Sequence, residues 1–205
     1  MTETAERVLD VIRTRRSVPR TKQDPIPREV VQRLLDAAVW VPNHRLTEPW
    51  QFFVLDGPSR QRFAEIRREW RRRQLPDPDA PGVAAALAKV YEETLATPVI
   101  IVVTAHLSED PDRREEDAWA TFGAAYAFML AAWAHGIGTY FRTGGVRDDP
   151  ALRRMLGLPP DRRIIGVLYA GYPAEVPQRR RTPASEKTVW LDPPPEAQGA
   201  PQSGS

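Results

Sequence analysis

The segment Pro98 to His106, PVIIVVTAH, constrains the fold more than any other part of the chain. Its unbroken run of β-branched residues predicts a strand that is covered on both faces, because neither face alternates with polar side chains. RIIGVLYAGYP, beginning at Arg163, predicts a second fully buried strand, and WQFFVLDG (Trp50 to Gly57) and GTYFRTGG predict shorter ones. A sheet of this kind needs helices packed on it to exclude water.

Amphipathic segments supply those helices. Five segments have helical spacing or caps: ETAERVLDVIRTRR, IPREVVQRLLDAAVWV, PSRQRFAEIRREWRRRQ, VAAALAKVYEETLA and DDPALRRMLGL. The longest helix candidate runs from Ser108 to Gly136. The middle of that longest helix is apolar all round, which predicts a position at the centre of the fold. Helices and strands do not alternate strictly, so the sequence predicts an α+β domain in which helices wrap a small central sheet. This domain is expected to span 1–191, followed by a disordered C-terminal tail over 192–205.

Composition excludes several function classes. The chain has 205 residues and no cysteine, which rules out disulfides, thiolate metal sites and cysteine nucleophiles. Neither a signal peptide nor a membrane-spanning run is recognised, so a cytoplasmic protein is expected and no membrane partner. The formal net charge is only +2, although arginines are clustered.

Four clusters carry candidate binding residues. RTRRSVPR (13–20) places Arg15, Arg16 and Ser17 at a predicted helix end, and PNHR puts His44 in a loop before a strand. FRTG places Phe141, Arg142, Thr143 and Gly144 after another strand, and QRRRTP contributes Arg179, Arg180 and Arg181. Arginine forks match phosphate or carboxylate groups, but a charge run is as often a solvated helix end. Each cluster is weak evidence by itself.

The four clusters occur in this order together with an Ala-rich central helix that ends in HGIGT and a terminal GYP that is followed by RRTP. In this combination the chain resembles the FMN-dependent nitroreductase family, in particular its small single-domain branch of YdjA-like proteins. The resemblance covers about Val8 to Trp190. It implies an α+β fold, an intertwined homodimer with FMN at the subunit interface, and NAD(P)H as electron donor. It also implies a small-molecule electron acceptor, such as a nitroaromatic, a quinone or an activated alkene, reduced by ping-pong hydride transfer through FMN.

The same resemblance implies roles for individual residues. Arg15, Arg16 and Ser17 match the first flavin-contacting segment, and His44 matches the loop position that reaches the cofactor. The family's segment along the flavin ring corresponds to Phe141, Arg142, Thr143 and Gly144, and its basic segment at the phosphate to Arg179 through Arg181. The chemistry belongs to the cofactor, so no catalytic side chain is predicted.

Three departures from the family pattern bear on the site. Pro19 precedes Arg20 and is expected to turn Arg20 away from the cofactor, while Leu46 and Glu48 stand where many relatives carry amides. An aromatic pocket that includes Trp40 is expected to favour flat, electron-poor acceptors. Two alternatives remain: an FMN-binding relative with a dehalogenase or non-reductase role, and a basic nucleic-acid-binding protein. No nucleic-acid motif supports the second, and no nucleic-acid partner is expected.

Overall fold

The computed structural model describes residues 2–191, and the tail predicted over 192–205 lies outside the described residues. Residues 2–191 form six α-helices: α1 (Glu3–Thr14), α2 (Arg28–Ala38), α3 (Gly57–Arg73), α4 (Val83–Leu95), α5 (Pro111–Ala134) and α6 (Pro150–Met155). The same residues form four strands: β1 (Trp50–Leu55), β2 (Val99–His106), β3 (Gly138–Arg142) and β4 (Arg162–Gly171). No helix in residues 2–191 has the length and hydrophobicity needed to span a bilayer.

The strands form one sheet in the order β1-β2-β4-β3, with every neighbouring pair antiparallel. The central strands β2 and β4 are buried on both faces, as predicted: Ile100, Ile101, Val102 and Val103 of β2 are all 0% exposed. On one face α2 and α5 pack on Ile101, Val103 and Leu168. On the other, α3 and α6 pack on Ile100, Val102 and Val167. The predicted α+β architecture, a small sheet wrapped by helices, is therefore confirmed.

Local signals set the helix boundaries. Asp56 and Ser59 form a capping box that begins α3, so β1 ends at Leu55 rather than at Gly57. Asp110 caps α5 through the backbone N–H groups of Asp112 and Arg113, and Asp149 caps α6 through that of Ala151.

The central helix α5 is not enclosed on every side, contrary to expectation. Ala124, Ala125 and Phe128 on its inner face are 0% exposed, whereas Trp119 and Phe122 on its outer face are 63% and 47% exposed. The hydrophobicity of this helix predicted burial, but residues 2–191 of the single chain provide no layer outside α5 that covers this stripe. An uncovered aromatic stripe of this kind marks a contact surface.

Candidate active site

The segment that follows α1 is fixed along the outer edge of β3. Ser17 pairs in parallel with Thr139, and the backbone N–H of Val18 donates to the Thr139 carbonyl at 2.9 Å. Val18 is 1% exposed, and Gly138 makes room for it, because a Cβ on Gly138 would lie 2.7 Å from Val18 Cγ2. The first basic segment therefore lies beside the strand that leads into Phe141–Gly144.

The arginines of this segment point in different directions. Arg16 donates to the carbonyls of Arg13 and Arg15 at 2.7 and 3.0 Å, so its guanidinium closes the end of α1. Arg15 lies over the ring of Tyr126, 6.0 Å from its centroid. In the described part of the chain, the buried Nε of Arg15 has no hydrogen-bond acceptor. Arg15 therefore keeps unused donor capacity at this edge of the sheet.

Arg20 forms an ion pair within the described chain, and the expectation that Pro19 turns it away from the cofactor stays a prediction. It donates to Glu175 Oε1 at 2.6 Å, and this hydrogen bond, together with the charge of Glu175, raises the pKa of the Arg20 guanidinium. Its charge is paired within the chain. Arg20 is accordingly a weaker candidate for a ligand contact than Arg15.

Two adjoining cavities lie on the α3 face of the sheet, at the end of β3. The first, of about 490 Å³, is lined by Phe141, Arg142, Thr143 and Gly144 together with side chains of α3. The second, of about 410 Å³, is lined by Val18 through Thr21 and by residues of α4. Both share the wall formed by Arg67, Tyr140, Arg142 and Tyr169. The fold thus brings the segments around Ser17 and Arg142 to one place.

The shared wall is positively charged. The guanidinium carbons of Arg142 and Arg67 lie 5.6 and 5.7 Å from the ring centroid of Tyr169, and Arg142 also lies 4.9 Å from that of Tyr140. Burial lowers the pKa of Arg67, and the nearby charge of Arg142 acts in the same direction, while Tyr169 and Glu93 oppose the shift. Burial raises the pKa of the Tyr169 hydroxyl, against the effect of both arginines.

Within residues 2–191, neither Arg67 nor Arg142 has a carboxylate at ion-pair distance. Two cations are thus held near one another beside open space, and their mutual repulsion is not offset by an ion pair. An anionic or electron-rich ligand would offset it. The wall is consequently a candidate binding surface for such a ligand.

The two glycines after Thr143 have different roles. A Cβ on Gly144 would meet no atom within 4 Å, so its backbone is open on the side of the first cavity. A Cβ on Gly145 would lie 2.9 Å from Cζ2 of Trp70, so this glycine is needed to seat the indole. Of the pair, only Gly144 offers its backbone to a ligand.

His44 lies apart from both cavities in its own chain. Its Nδ1 is 2.8 Å from Oε2 of Glu116, near the start of α5. Its loop is strained, because Arg45, Leu46 and Glu48 all have positive φ angles (58°, 51° and 43°) without being glycine. Such strain is concentrated at functional loops in proteins. The single chain therefore does not bring His44 to the Arg142 segment.

The cluster of Arg179, Arg180 and Arg181 also lies apart from the two cavities. Arg179, Arg180 and Arg181 are exposed in the segment that follows β4, and Arg181 donates only to the carbonyl of Arg180, at 3.3 Å. They line neither cavity. Their role at a phosphate remains a prediction.

Sequence reasoning missed Arg67 and Trp70, which line the first cavity. Neither was among the predicted cofactor-binding residues. Arg67 follows the fully buried Phe63 and Ala64 by four and three residues, so helical periodicity places it on the inward face. That spacing was the available signal.

Comparison with known proteins agrees with this geometry. The family model described as "Nitroreductase family" matches residues 12–172. The Escherichia coli protein YdjA, whose name assigns it to the NAD(P)H nitroreductases, is 30% identical over 80% of this chain and 87% of its own length. A nitroreductase-like protein from Bacillus cereus has a crystal structure that matches at TM-score 0.79 and 29% identity, covering 90% of this chain and 96% of that one.

A protein of the same fold from Desulfovibrio desulfuricans, solved in complex with FMN, matches at TM-score 0.68 and 24% identity, over 90% of this chain and 96% of that one. The family match extends from the end of α1 to the residue after β4 and includes the Ser17 and Arg142 segments. This chain therefore belongs to the nitroreductase family.

Proposed function

We propose that the chain is an FMN-dependent oxidoreductase that takes electrons from NAD(P)H and passes them to an electron-poor small molecule. The observation that carries the proposal is the pairing of Ser17 with Thr139 along the edge of β3. From Thr139 to Arg142, the end of β3, the strand advances about 10 Å, at roughly 3.3 Å a residue. One edge thus offers a basic segment at one end and an open glycine backbone at the other, which suits an elongated anionic cofactor.

The residues present fit FMN. Its phosphate needs cationic donors, and Arg15 carries a buried Nε without an acceptor among the described residues. Its flat ring needs a close approach to backbone, and Gly144 leaves that space open. In this proposal Arg15, Arg16 and Ser17 hold the phosphate with Arg179 and Arg181, and Phe141 through Gly144 lie along the ring. The first group lies at the β3 edge, whereas Arg179 and Arg181 would have to move toward it.

FMN, when bound, supplies the hydride-accepting and electron-donating chemistry. The protein contributes position and charge. In this proposal Arg142 lies beside the flavin ring, where a fixed cation stabilises the negative charge of reduction without reorganisation. For a nitroaromatic acceptor, each turnover consumes one NAD(P)H and one proton, converts the nitro group to a nitroso group and releases water. No acid, base or nucleophile of the chain is required for that balance.

We also propose that donor and acceptor use one binding place in alternation, as in ping-pong kinetics. The first cavity borders both Gly144 and the Arg67–Arg142 wall, and it is open to solvent at exposed Thr143. A cavity of about 490 Å³ suits sequential occupancy better than simultaneous binding of two substrates. Parallel double-reciprocal plots at several acceptor concentrations are the expected kinetic pattern.

A homodimer completes the proposal. The outer stripe of α5 contains Trp119 and Phe122, and Phe122 packs edge-on to Phe141 with ring centroids 5.5 Å apart. If two copies pack through this stripe about a two-fold axis perpendicular to α5, their helices run antiparallel. The start of α5 in one copy, which holds the His44 loop, then faces Phe141 of the other. In this arrangement His44 reaches the flavin bound by the opposite protomer.

Flavin titration tests the function. Purified protein is expected to be yellow, or to quench FMN fluorescence on titration, and then to oxidise NADH or NADPH when a nitroaromatic or quinone is added. Protein that binds no FMN would refute the proposal. FMN binding without turnover of either donor would instead support the non-reductase alternative, and iodide release from a halogenated phenol would support the dehalogenase.

Steeply salt-dependent nucleic-acid binding by a flavin-free protein would support the remaining alternative, a basic nucleic-acid-binding protein.

A cytoplasmic location is part of our proposal, because the cytoplasm is where NAD(P)H would be supplied.

A further inference from the structure

The first cavity contains three arginines and no acidic side chain among its lining residues. Arg67 and Arg71 lie four residues apart on α3 and so share one face of the helix, while Arg142 enters from β3. Arg67 donates one hydrogen bond, to Thr94 Oγ1 at 2.6 Å, and keeps further donors unused. Arg71 is exposed at the mouth of the cavity. Such a set of donors is suited to a carboxylate.

The remaining walls are aromatic and apolar. Trp70 stands between Arg67 and Arg71 in the sequence, and its indole reaches the cavity because Gly145 has no side chain. Tyr140 lies on the side of β3, and Val90 and Val146 close the space between them. A cavity of about 490 Å³ with these walls matches a flat ring.

We infer that the electron acceptor of this enzyme is a flat aromatic compound that carries a carboxylate. The carboxylate lies on Arg67 and Arg71, the ring lies against Trp70, and the reducible group points toward Gly144. This inference rests on the proposed function, because the cavity borders the flavin only if FMN lies along Phe141–Gly144. The redox step is unchanged: one NAD(P)H and one proton convert a nitro group to a nitroso group and water.

The test compares two acceptors that differ mainly in charge, para-nitrobenzoate and para-nitrobenzamide. The ratio of their kcat/KM values is measured with the FMN-loaded protein, and their binding in the absence of donor is measured by isothermal calorimetry. The variants are Arg71→Gln and Arg67→Gln. Arg68→Gln is the matched control, because Arg68 neighbours Arg67 but stacks on Tyr91 outside the cavity, 5.4 Å from the ring centroid. Arg71 is exposed, so its variant is expected to fold even if that of Arg67 does not.

The wild type is expected to favour the benzoate, and Arg71→Gln is expected to reduce that preference about tenfold, as expected for the loss of one charge-assisted hydrogen bond. The control should retain it. Equal efficiency for the two acceptors, or an unchanged ratio in Arg71→Gln, would overturn the inference.

Two further measurements identify what else the arginines could bind. Weaker FMN binding in Arg71→Gln with an unchanged acceptor ratio would overturn the inference and assign the arginines to the flavin phosphate. A changed preference between NADPH and NADH with an unchanged acceptor ratio would overturn it in favour of the 2′-phosphate of NADPH.

If the proposed function itself is wrong, the same experiments give a different result. Selective calorimetric binding of the benzoate, lost in Arg71→Gln but without turnover of any acceptor, would retain the anion site and reject the oxidoreductase.

Discussion

Gly138→Ala should detach the basic segment from the sheet without substituting any of the proposed ligand residues. An added Cβ would lie 2.7 Å from Cγ2 and 2.8 Å from Cβ of Val18, and 3.1 Å from Cγ of Pro173. Val18 is β-branched and 1% exposed, so it has little freedom to move aside. The clash is most easily relieved if residues 17 and 18 move outward, away from Thr139.

The expected cost follows from these contacts. Overpacking a closed site costs about 1–3 kcal/mol, and loss of the 2.9 Å bond from Val18 N–H to the Thr139 carbonyl costs about 1 kcal/mol more. A total of about 2–4 kcal/mol lowers Tm by about 4–16 °C in a chain of this length. Because Arg15 and Ser17 move with Val18, FMN affinity should fall about tenfold or more.

The assay pairs thermal unfolding of the flavin-free protein with FMN titration. Val18→Ala in the Gly138→Ala background removes the 2.7 Å contact with Cγ2 but keeps the 2.8 Å contact with Cβ, so it should recover part of both losses and show coupling of about 0.5–3 kcal/mol. Gly144→Ala is the matched glycine control for stability, because its Cβ meets nothing within 4 Å and its φ of −65° suits alanine. Unchanged FMN affinity in Gly138→Ala despite a lowered Tm would refute the view that this strand edge positions the cofactor.

Four further outcomes are expected. Arg16→Ala and Arg181→Ala should each weaken FMN binding by about 1.5–3 kcal/mol in fluorescence titrations, and unchanged affinity in both would move the phosphate elsewhere. Light scattering should report a mass of twice 23.2 kDa, and Trp119→Glu should halve it; a monomer with bound flavin would contradict the dimer. Trp40→Ala should lower kcat/KM for flat nitroaromatics more than for a small polar enone, whereas equal effects would leave the aromatic pocket unsupported. Asp149→Ala should destabilise the chain by about 1–3 kcal/mol in denaturant titrations, because it removes the α6 cap and the buried carboxylate that pairs with the half-exposed Arg73; no measurable loss would contradict this.

Features of the fold that depend only on residues close together in the sequence could be predicted from the sequence. The β-branched run of β2, the caps at Asp110 and Asp149 and the helix-ending Gly136 act over a few residues, so their effects do not require knowledge of the fold. The order of the four clusters, which indicated the family, is likewise a property of the chain alone.

The candidate site depended on contacts between distant parts of the chain. Pairing of Ser17 with Thr139 required the antiparallel register of β3 on β4, and no local pattern specifies that register. The composition of α3 marked Arg67 as one of many surface cations, but packing of α3 on the sheet buried it against Tyr169. His44 carried the same signal as the other candidates, and the fold placed it near Glu116 instead. Residue types and their order are properties of the chain, whereas proximity, burial and charge pairing arise only when remote segments are packed together.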